Sequence, residues 1–302
     1  PHTQYSILDT LPRPMPTCPR VNVSPRGFLP LAYIAPALSY ISMPLSRRDV
    51  LRLFAAGVAL GPLASLAADR PAKRSPKKGW AGNRPESEKQ FGCTWWYTWT
   101  CQGSSTPTYE FVPMVKGHRR PVPDTELALL KDPTAKHLLG LNEPERDTQG
   151  NLTVEEAVAA WPAMAALATE KKLRLGSPGV SSDGLGGTWM REFMEQAQRK
   201  KLKVDFVAAH WYRSADPAAY EDWLKELYAT YRRPIWVTEF NAMFTKADDN
   251  GHAQFLRGAL KAMERQRFVE RYAYFNPKDG KAALLKDGAL TKLGEIYRDA
   301  GG

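Results

Sequence analysis

The chain reads Lys136-His-Leu-Leu-Gly-Leu-Asn-Glu-Pro-Glu145 near its middle, and this stretch decides how the fold is interpreted. Its compact apolar run predicts a short buried strand that ends at Pro144, because proline has no amide hydrogen to donate to a ladder. Period-2 alternation places Leu139, Leu141 and Glu143 on one face. We therefore expect a carboxylate at the C-terminal end of a strand, although a loop glutamate that merely follows a strand fits this stretch alone equally well.

A second stretch with the same pattern reads Arg233-Pro-Ile-Trp-Val-Thr-Glu-Phe-Asn241. Alternation puts Ile235, Val237 and Glu239 in phase, so this strand also ends with a glutamate. Two strands that each deliver one glutamate at the same edge predict a paired-carboxylate site. Such a pair is what cleavage of a glycosidic bond requires.

Strand-like and helix-like segments alternate along the chain. The eight strand candidates are 93–99, 110–115, the stretch that ends at Glu143, 174–179, 204–212, 233–241, 271–276 and 283–285. Helices are predicted at 125–130, from a capping box at Thr153 through Trp161, and at 189–200, 218–231 and 253–265. With 302 residues and 43% hydrophobic content, the chain can form one large core. We predict the α/β fold class, as a single (β/α)8 TIM barrel with its site at the C-terminal ends of the strands.

The first predicted strand, residues 93–99, is rich in tryptophan. Alternation places Trp95, Tyr97 and Trp99 on one face and Trp96 on the other. Large aromatic rings pack in protein cores and also stack on the apolar faces of sugars. For any single tryptophan the core is the commoner place, but we expect one or two of the cluster to line a cleft and bind substrate.

Other polar and aromatic side chains lie near predicted strand ends. His210 and Tyr212 share a face at the end of strand 204–212, where they are candidates to orient Glu239 or bind sugar. The alternative for His210 is a buried histidine with only a structural role. Tyr274, on strand 271–276, is a further substrate-binding candidate.

The N-terminal part of the chain differs in composition from the rest. Residues 1–42 are rich in proline without periodicity, and we expect a disordered upstream extension. Residues 43–68 combine Arg47-Arg48, an apolar run and Ser65-Leu66-Ala67, a pattern similar to a twin-arginine signal peptide; a short amphipathic core helix is the alternative. The apolar run is shorter than the about 20 residues of a membrane span. We predict export to the periplasm or the medium, without a stable membrane anchor.

The net charge of +10 comes mainly from the N-terminal segments. Residues 1–67 carry six basic and two acidic side chains, and residues 68–78 carry five and one. Residues 79–302 carry 31 and 29, a balance of +2. We interpret the basic segment 69–78 as a flexible linker and 79–302 as the catalytic domain. The domain's near-neutral charge argues against a nucleic-acid partner.

Cysteine and histidine usage argues against cross-links and metal sites. A continuous strand would separate the Cα atoms of Cys93 and Cys101 by about 26 Å, whereas a disulfide needs about 4.4–6.8 Å. We expect two unpaired thiols unless the chain turns near Trp99 or Thr100. The five histidines are scattered without close ligand spacing, so we expect neither a metal nor a cofactor.

Several motifs occur in order along residues 79–300, after the tryptophan-rich strand. They are Phe111-Val-Pro-Met, Gly140-Leu-Asn-Glu-Pro, Gly176-Ser-Pro-Gly, Asp205-Phe-Val-Ala-Ala-His-Trp-Tyr, Trp236-Val-Thr-Glu-Phe and Gly288-Ala-Leu-Thr. Together they resemble the Asl1-like glycosyl hydrolase catalytic domain, glycoside hydrolase family 128. The resemblance implies a retaining endo-β-1,3-glucanase on a (β/α)8 barrel, with a polysaccharide substrate, and we expect a monomer. Alternatives are a glycanase for mixed-linkage glucan or mannan and an inactive carbohydrate-binding barrel.

The resemblance also implies residue roles. Glu143 would be the acid/base, Glu239 the nucleophile, and Asn142 similar to an asparagine that binds the sugar 2-hydroxyl. Asn142 and Glu143 alternate in an ideal strand, so a bulge or turn is required for both to reach the site. We expect ionised Glu239 to raise the pKa of Glu143 and so keep it protonated.

Two features depart from the family pattern. Glu145 stands after Pro144, where aspartate is expected. Related barrels place the two glutamates on the fourth and seventh strands, whereas the strands counted above give the third and sixth. The mismatch indicates an early strand missing from the count.

Overall fold

The structure is a computed structural model that describes residues 71–117, 128 and 130–301, all within the compact unit Leu63–Gly302. The predicted extension 1–42, the predicted signal peptide 43–68 and most of the predicted helix 125–130 lie outside the described residues. Within the described part, no helix has the length and apolar character needed to cross a membrane.

Strands and helices alternate along most of the described chain. The strands are β1 Lys78–Ala81, β2 Trp95–Tyr97, β3 Glu110–Phe111, β4 His137–Leu138, β5 Arg174–Leu175, β6 Val207–Trp211, β7 Ile235–Phe240, β8 Val269–Phe275, β9 Leu285–Lys286 and β10 Ala289–Leu290. The helices are α1 Ser87–Phe91, α2 Val154–Glu170, α3 Gly184–Arg199, α4 Pro217–Tyr231, α5 Asp249–Arg265 and α6 Lys292–Arg298.

A parallel sheet forms the centre of the fold. Six strands lie in the order β3-β2-β1-β8-β7-β6, and β4 and β5 form a separate parallel pair. Isolated parallel bridges join Met114 to Leu139, beside β4, and Gly176 to Phe206, between β5 and β6. The chain therefore has an α/β fold with a central parallel sheet.

The first strand, β1, is one that the sequence pattern did not predict. It begins at Lys78, the last residue of the predicted linker, and the Lys78 side chain is fully buried. Its ammonium group donates hydrogen bonds to the carbonyls of Lys73, Tyr297 and Ala300 at 2.5–3.1 Å. A buried lysine conceals the apolar pattern of a strand. With β1 counted, Glu143 follows the fourth strand and Glu239 lies on the seventh.

The predicted eighth strand, 283–285, is wrong. Leu285–Lys286 pairs antiparallel with Ala289–Leu290 in a hairpin outside the central sheet. Asp287 and Gly288 form the turn with φ values of +50° and +81°, which an Asp-Gly pair adopts readily. The strand that completes the parallel set is β8.

The predicted phase of both glutamate-bearing strands is also wrong. Leu139 packs in a smaller cluster with Trp95 and Trp236, whereas Leu141 packs in the larger cluster that includes the helices. Along β7, Ile235 and Val237 likewise belong to the larger cluster, although Trp236 belongs to the smaller one. A register shift between Val237 and Phe240 changes the alternation before Glu239 is reached.

Two local predictions are confirmed. At the start of α2, Thr153 Oγ1 accepts from the Glu156 amide at 3.1 Å, and the Glu156 carboxylate accepts from the Thr153 amide at 2.8 Å, so the capping box is formed. No disulfide joins Cys93 to Cys101, since their buried thiols contact the carbonyls of Gly79 and Met114 respectively.

Candidate active site

Glu143 stands on a backbone turn that ends the β4 segment. Its φ is +40°, a left-handed conformation that costs a residue with a side chain about 1–3 kcal/mol. The turn is held because the Glu143 amide donates to the Gly179 carbonyl at 2.7 Å and the Glu143 carbonyl accepts from the amides of Arg146 and Gly150. This conformation breaks the alternation, so Asn142 and Glu143 both line the same cleft.

Glu239 is fixed by three donors from two other strands or the loops that follow them. Tyr97 Oη and Trp99 Nε1 donate to Oε1 at 3.0 and 2.9 Å, and Tyr212 Oη donates to Oε2 at 2.6 Å. Burial, followed by the charge of Glu239, raises the pKa of both tyrosines well above the usual value. They therefore remain protonated donors, and both carboxylate oxygens are held in one orientation.

His210 lies between the two glutamates. Its side chain is fully buried, with Nδ1 2.9 Å from Glu143 Oε1 and Nε2 3.7 Å from Glu239 Oε1. Burial lowers the pKa of His210, but Glu239, Glu143 and Glu145 together outweigh burial and raise it to about 9. This shift favours the imidazolium form, whose nitrogens lie 2.9 Å from one carboxylate and 3.7 Å from the other.

The expected rise in the pKa of Glu143 is wrong for the free protein. Burial raises the pKa of Glu143, but the hydrogen bond and charge of His210, with a smaller effect of Arg146, lower it below the usual value. The sequence pattern placed the two carboxylates side by side and did not foresee the cation between them.

The cleft above these residues has a volume of about 720 Å³. Its lining comes from the C-terminal ends of the parallel strands and the loops that follow them, where sites of α/β proteins gather. The lining residues include Trp99, Lys116, Asn142, Glu143, Arg146, Ser181, Asp183, Tyr212, Arg213, Glu239, Met243, Phe244 and Phe275. Of the predicted site residues, Glu143, Glu239, Asn142, Tyr212 and Trp99 thus meet here, and His210 lies directly beneath.

Two predicted tryptophans lie elsewhere. Trp95 is fully buried against Trp236, with ring centroids 5.2 Å apart, and its Nε1 donates to the Lys77 carbonyl. Trp96 points to the other face of the sheet and stacks on Tyr109. Neither ring borders the cleft, because only the last tryptophan of the strand extends beyond the packed layers.

Tyr274 and Glu145 also lie outside the cleft lining. Tyr274 is buried and donates to the Ala282 carbonyl at 2.6 Å, so it secures the loop after β8 and does not border the cleft. Glu145, the residue that departs from the family pattern, has a fully buried side chain that accepts from the Ser181 amide at 2.8 Å. It does not compete with Glu143 for the site.

The sequence pattern missed part of the lining. Phe244 is 74% exposed, and its ring lies 5.5 Å from that of Tyr212. On the other side of the cleft, the Arg146 guanidinium donates to Ser181 Oγ at 2.9 Å and to the Asp183 carboxylate. In the sequence, these residues lie in loops that show no hydrophobic periodicity. The one feature that could have indicated them is that each loop directly follows the end of a predicted strand.

The described residues contain no group of three or more histidine, cysteine, aspartate or glutamate side chains arranged to hold a metal ion.

A family model described as the catalytic core of glycosyl hydrolases matches residues 74–297. A comparison with curated proteins returned no significant match. The matched region includes β1 and extends into α6, so it covers the described strands together with both glutamates.

Solved structures of glycoside hydrolase family 128 are similar to the chain. A subgroup I endo-β-1,3-glucanase from Amycolatopsis mediterranei, in complex with laminaritriose, is 28% identical, with 74% of this chain and 99% of that chain covered and a TM-score of 0.64. A subgroup III curdlan-specific exo-β-1,3-glucanase from Blastomyces gilchristii is 30% identical, with coverages of 74% and 97% and a TM-score of 0.62.

A subgroup II endo-β-1,3-glucanase from Sorangium cellulosum is 26% identical, with 74% of this chain and 98% of that chain covered and a TM-score of 0.63. The chain thus matches nearly the full length of relatives from three subgroups. The family match, these structures and the paired glutamates lead to one assignment: the chain belongs to the glycosyl hydrolase catalytic core family and, within it, to glycoside hydrolase family 128, and it is a glycoside hydrolase.

Proposed function

We propose that this protein is a retaining, endo-acting β-1,3-glucanase in which Glu143 is the acid/base and Glu239 the nucleophile. The observation that carries the proposal is the contact of both carboxylates with opposite nitrogens of one buried imidazole, that of His210. A retaining pair lies about 5–5.5 Å apart, closer than the 6.5–9.5 Å of an inverting pair. The shared imidazole supports a single site for the two carboxylates, and retention follows from the family resemblance and is tested by the anomer analysis below.

A closed (β/α)8 barrel is the architecture that suits this proposal. The six-stranded sheet ends at β3 on one edge and β6 on the other, and β4 and β5 lie between them in sequence. Parallel bridges from Met114 to Leu139 and from Val180 to Ala209 support closure of the ring through this pair. A closed ring would bring the ends of the fourth and seventh strands to one mouth.

The polar residues suggest how a glucosyl unit is held. Asn142 Oδ1 is buried at the cleft and has no hydrogen-bond partner in the described part of the chain. A buried acceptor without a partner is costly, and a sugar hydroxyl can satisfy it. The family resemblance implies that this hydroxyl is the 2-hydroxyl of the sugar at the cleavage point, and we assign Asn142 to it.

Glucan specificity and endo action rest on the relatives and on the shape of the cleft. The subgroup I and II relatives above are endo-β-1,3-glucanases. Here the lining extends from Arg146 and Asp183 on one side of the glutamates to Phe244 and Phe275 on the other, so sugars can bind on both sides of the cleavage point. The exo-acting relative, at 30% identity, makes exo action the second candidate.

Product analysis tests these assignments. The protein is incubated with laminarin, mixed-linkage glucan and mannan, with Glu239→Ala as the inactive control. We expect laminarin to give oligosaccharides of several lengths at early times, with the β-anomer formed first by proton NMR. Early release of glucose alone would favour exo action, α-anomer formation would exclude retention, and hydrolysis of mannan but not laminarin would overturn the substrate assignment.

Export through the segment 43–68 is a separate proposal, supported by the paired arginines and the apolar run in the sequence. N-terminal sequencing of protein secreted from a bacterial host tests it. We expect a mature end within residues 67–70, and an end far from this range would reject the leader.

A further inference from the structure

His210 has a position that the assigned roles of the two glutamates do not explain. Its ring is fully buried and does not border the cleft, so it does not contact substrate. Its amide donates to the Val180 carbonyl at 2.9 Å, and a Cβ on Gly179 would lie 3.0 Å from Nε2, so the backbone of the preceding strand packs closely on the ring. The histidine is fixed in place below both carboxylates.

We propose that His210 stores the proton that Glu143 delivers to the leaving oxygen, and releases it when Glu239 becomes bonded to the sugar. The inference rests on the proposed function in one respect, the assignment of acid/base and nucleophile to these glutamates. His210 acts through Glu143 and is therefore a positioning residue that also holds a proton. The groups that face it are Glu143 from the β4 segment, Glu239 from β7 and, further away, Glu145.

Electrostatics couples the stored proton to the state of the nucleophile. In the free protein, the two carboxylates hold a buried imidazolium that burial alone would not permit. Formation of a glycosyl ester removes the negative charge of Glu239. That charge is the largest of the effects that raise the His210 pKa against the influence of burial. The imidazolium then becomes a stronger acid, and Glu143, 2.9 Å from Nδ1, is the group placed to receive its proton.

The steps balance in protons and charge. In the first step, a Glu239 oxygen bonds to the anomeric carbon, and the glycosidic C–O bond breaks with its electron pair going to the leaving oxygen. Glu143, which is ionised at the start, takes the proton from His210 Nδ1 and passes it to that oxygen, leaving neutral His210 and ionised Glu143. In the second step, water attacks the anomeric carbon, Glu239 leaves as a carboxylate, and the water proton returns through Glu143 to His210.

The first test is the pH profile of His210→Asn. The asparagine amide can still donate to Glu143 but cannot store a transferable proton. In the unaltered enzyme we expect the basic limb of kcat/KM near the His210 pKa of about 9. In the variant the basic limb should shift to lower pH by about two units or more, towards the pKa range of a carboxyl group. Most of the activity near pH 5 should be kept.

The matched control is His252→Asn, which makes the same substitution at a buried histidine on α5. We expect its pH profile to keep the basic limb of the unaltered enzyme. A His210→Asn variant whose activity falls by one factor at every pH, with the basic limb in place, would show that the histidine only supports the fold.

The second test does not depend on His210→Asn being folded or on any sugar. The histidines are labelled with nitrogen-15, and His210 is titrated by NMR in the unaltered protein and in Glu239→Gln, which imitates the loss of charge on ester formation. We expect His210 to be protonated at pH 7 in the unaltered protein and its pKa to fall by more than one unit in the variant. A neutral His210 at pH 7, or an equal pKa in both proteins, would overturn the inference.

The two proposals can fail separately. If laminarin is not degraded but the titration behaves as expected, the substrate assignment is wrong and the coupling between His210 and Glu239 stands. If laminarin is degraded with retention but His210 does not respond to Glu239→Gln, the proton store is wrong and the glucanase assignment stands.

Discussion

At the residue scale, the proposed acid and the proposed nucleophile are held in place in different ways. Glu143 has a left-handed backbone, while Glu239 is held on both oxygens by Tyr97, Trp99 and Tyr212. Strain and multiple donors both serve to hold a side chain in one geometry. Both carboxylates are therefore oriented in the protein without substrate.

The hydrogen bond from Tyr212 to Glu239 gives the first prediction. Tyr212→Phe removes a 2.6 Å bond to a carboxylate, which contributes about 1.5–3 kcal/mol, so kcat/KM on laminarin should fall roughly 10- to 100-fold. The control Tyr274→Phe removes a phenol hydrogen bond of equal length to the Ala282 carbonyl, away from the cleft. It should lower the melting temperature and leave kcat/KM within about twofold. Equal activity losses in the two variants would contradict the assignment of Tyr212.

Phe244 gives a prediction about binding. An aromatic ring this exposed contributes little to folding, but in a sugar cleft it can stack on a glucosyl ring for about 1–2 kcal/mol. Phe244→Ala should raise KM for laminarin roughly 5- to 30-fold and change kcat much less, with an unchanged melting temperature. Leu185→Ala, at the other large apolar side chain exposed in the described chain, is the control and should leave KM unchanged. A KM unaffected by Phe244→Ala would exclude the ring from the binding surface.

At the scale of elements, the position of the site depends on where the strand alternation changes. The sequence pattern predicted Glu143 and Glu239 at one edge of the sheet, and both line the same cleft, because both follow apolar runs that end at that edge. It assigned the wrong phase, because the alternation changes between Leu139 and Leu141 and again at the left-handed Glu143, and because a register shift in β7 precedes Glu239. Such irregularities depend on long-range packing, and no local pattern of polar and apolar residues encodes them.

The strand β1 shows a second limit of sequence patterns. Lys78 and Gly79 interrupt its apolar run, yet Lys78 is buried on backbone carbonyls, and Gly79 allows the Trp95 indole to pack on the strand. Both residues are explained only by partners that are distant in sequence or on a neighbouring strand. The remaining parallel strands were predictable because each contains or adjoins an apolar run.

Gly79 leads to a prediction about this element. A Cβ at Gly79 would lie 2.3 Å from the Trp95 ring, and the indole is enclosed in the core, so Gly79→Ala should lower the free energy of unfolding by about 1–3 kcal/mol or more. The control Gly187→Ala lies in α3, where nothing is within 4 Å of an added Cβ. It should raise the free energy of unfolding by about 0.5–1 kcal/mol, since alanine favours helix. Urea denaturation measures both, and a Gly79→Ala protein as stable as the unaltered one would contradict the close packing.

At the scale of the whole molecule, each end of the parallel strands carries a cluster of ionisable side chains, and the two clusters have different roles. At the C-terminal ends, Glu143 and Glu239 line the cleft and His210 lies beneath them. At the N-terminal ends, Glu110 of β3 bonds to His137 of β4 at 2.7 Å and to the Arg271 guanidinium of β8 at 2.6 Å. The first group lies beside the cleft, whereas the second joins three strands, as expected where one end of such a fold serves function and the other stability.

This division predicts a pH-dependent effect of Glu110→Gln. Burial raises the pKa of Glu110, but His137 and Arg271 outweigh burial and lower it to about 2 from 4.5. A lowered carboxyl pKa stabilises the fold fully above the unfolded value of 4.5, and this contribution is lost as the pH falls towards 2. Glu110→Gln should therefore lower the free energy of unfolding by about 2–4 kcal/mol at pH 7 and much less at pH 3. Urea denaturation at both pH values measures the difference. The kcat/KM of the folded Glu110→Gln variant should stay close to that of the unaltered enzyme. The control Glu239→Gln should instead abolish activity and leave the free energy of unfolding nearly unchanged. A loss of stability that is equal at pH 3 and pH 7 would mean that the Glu110 charge does not join these strands.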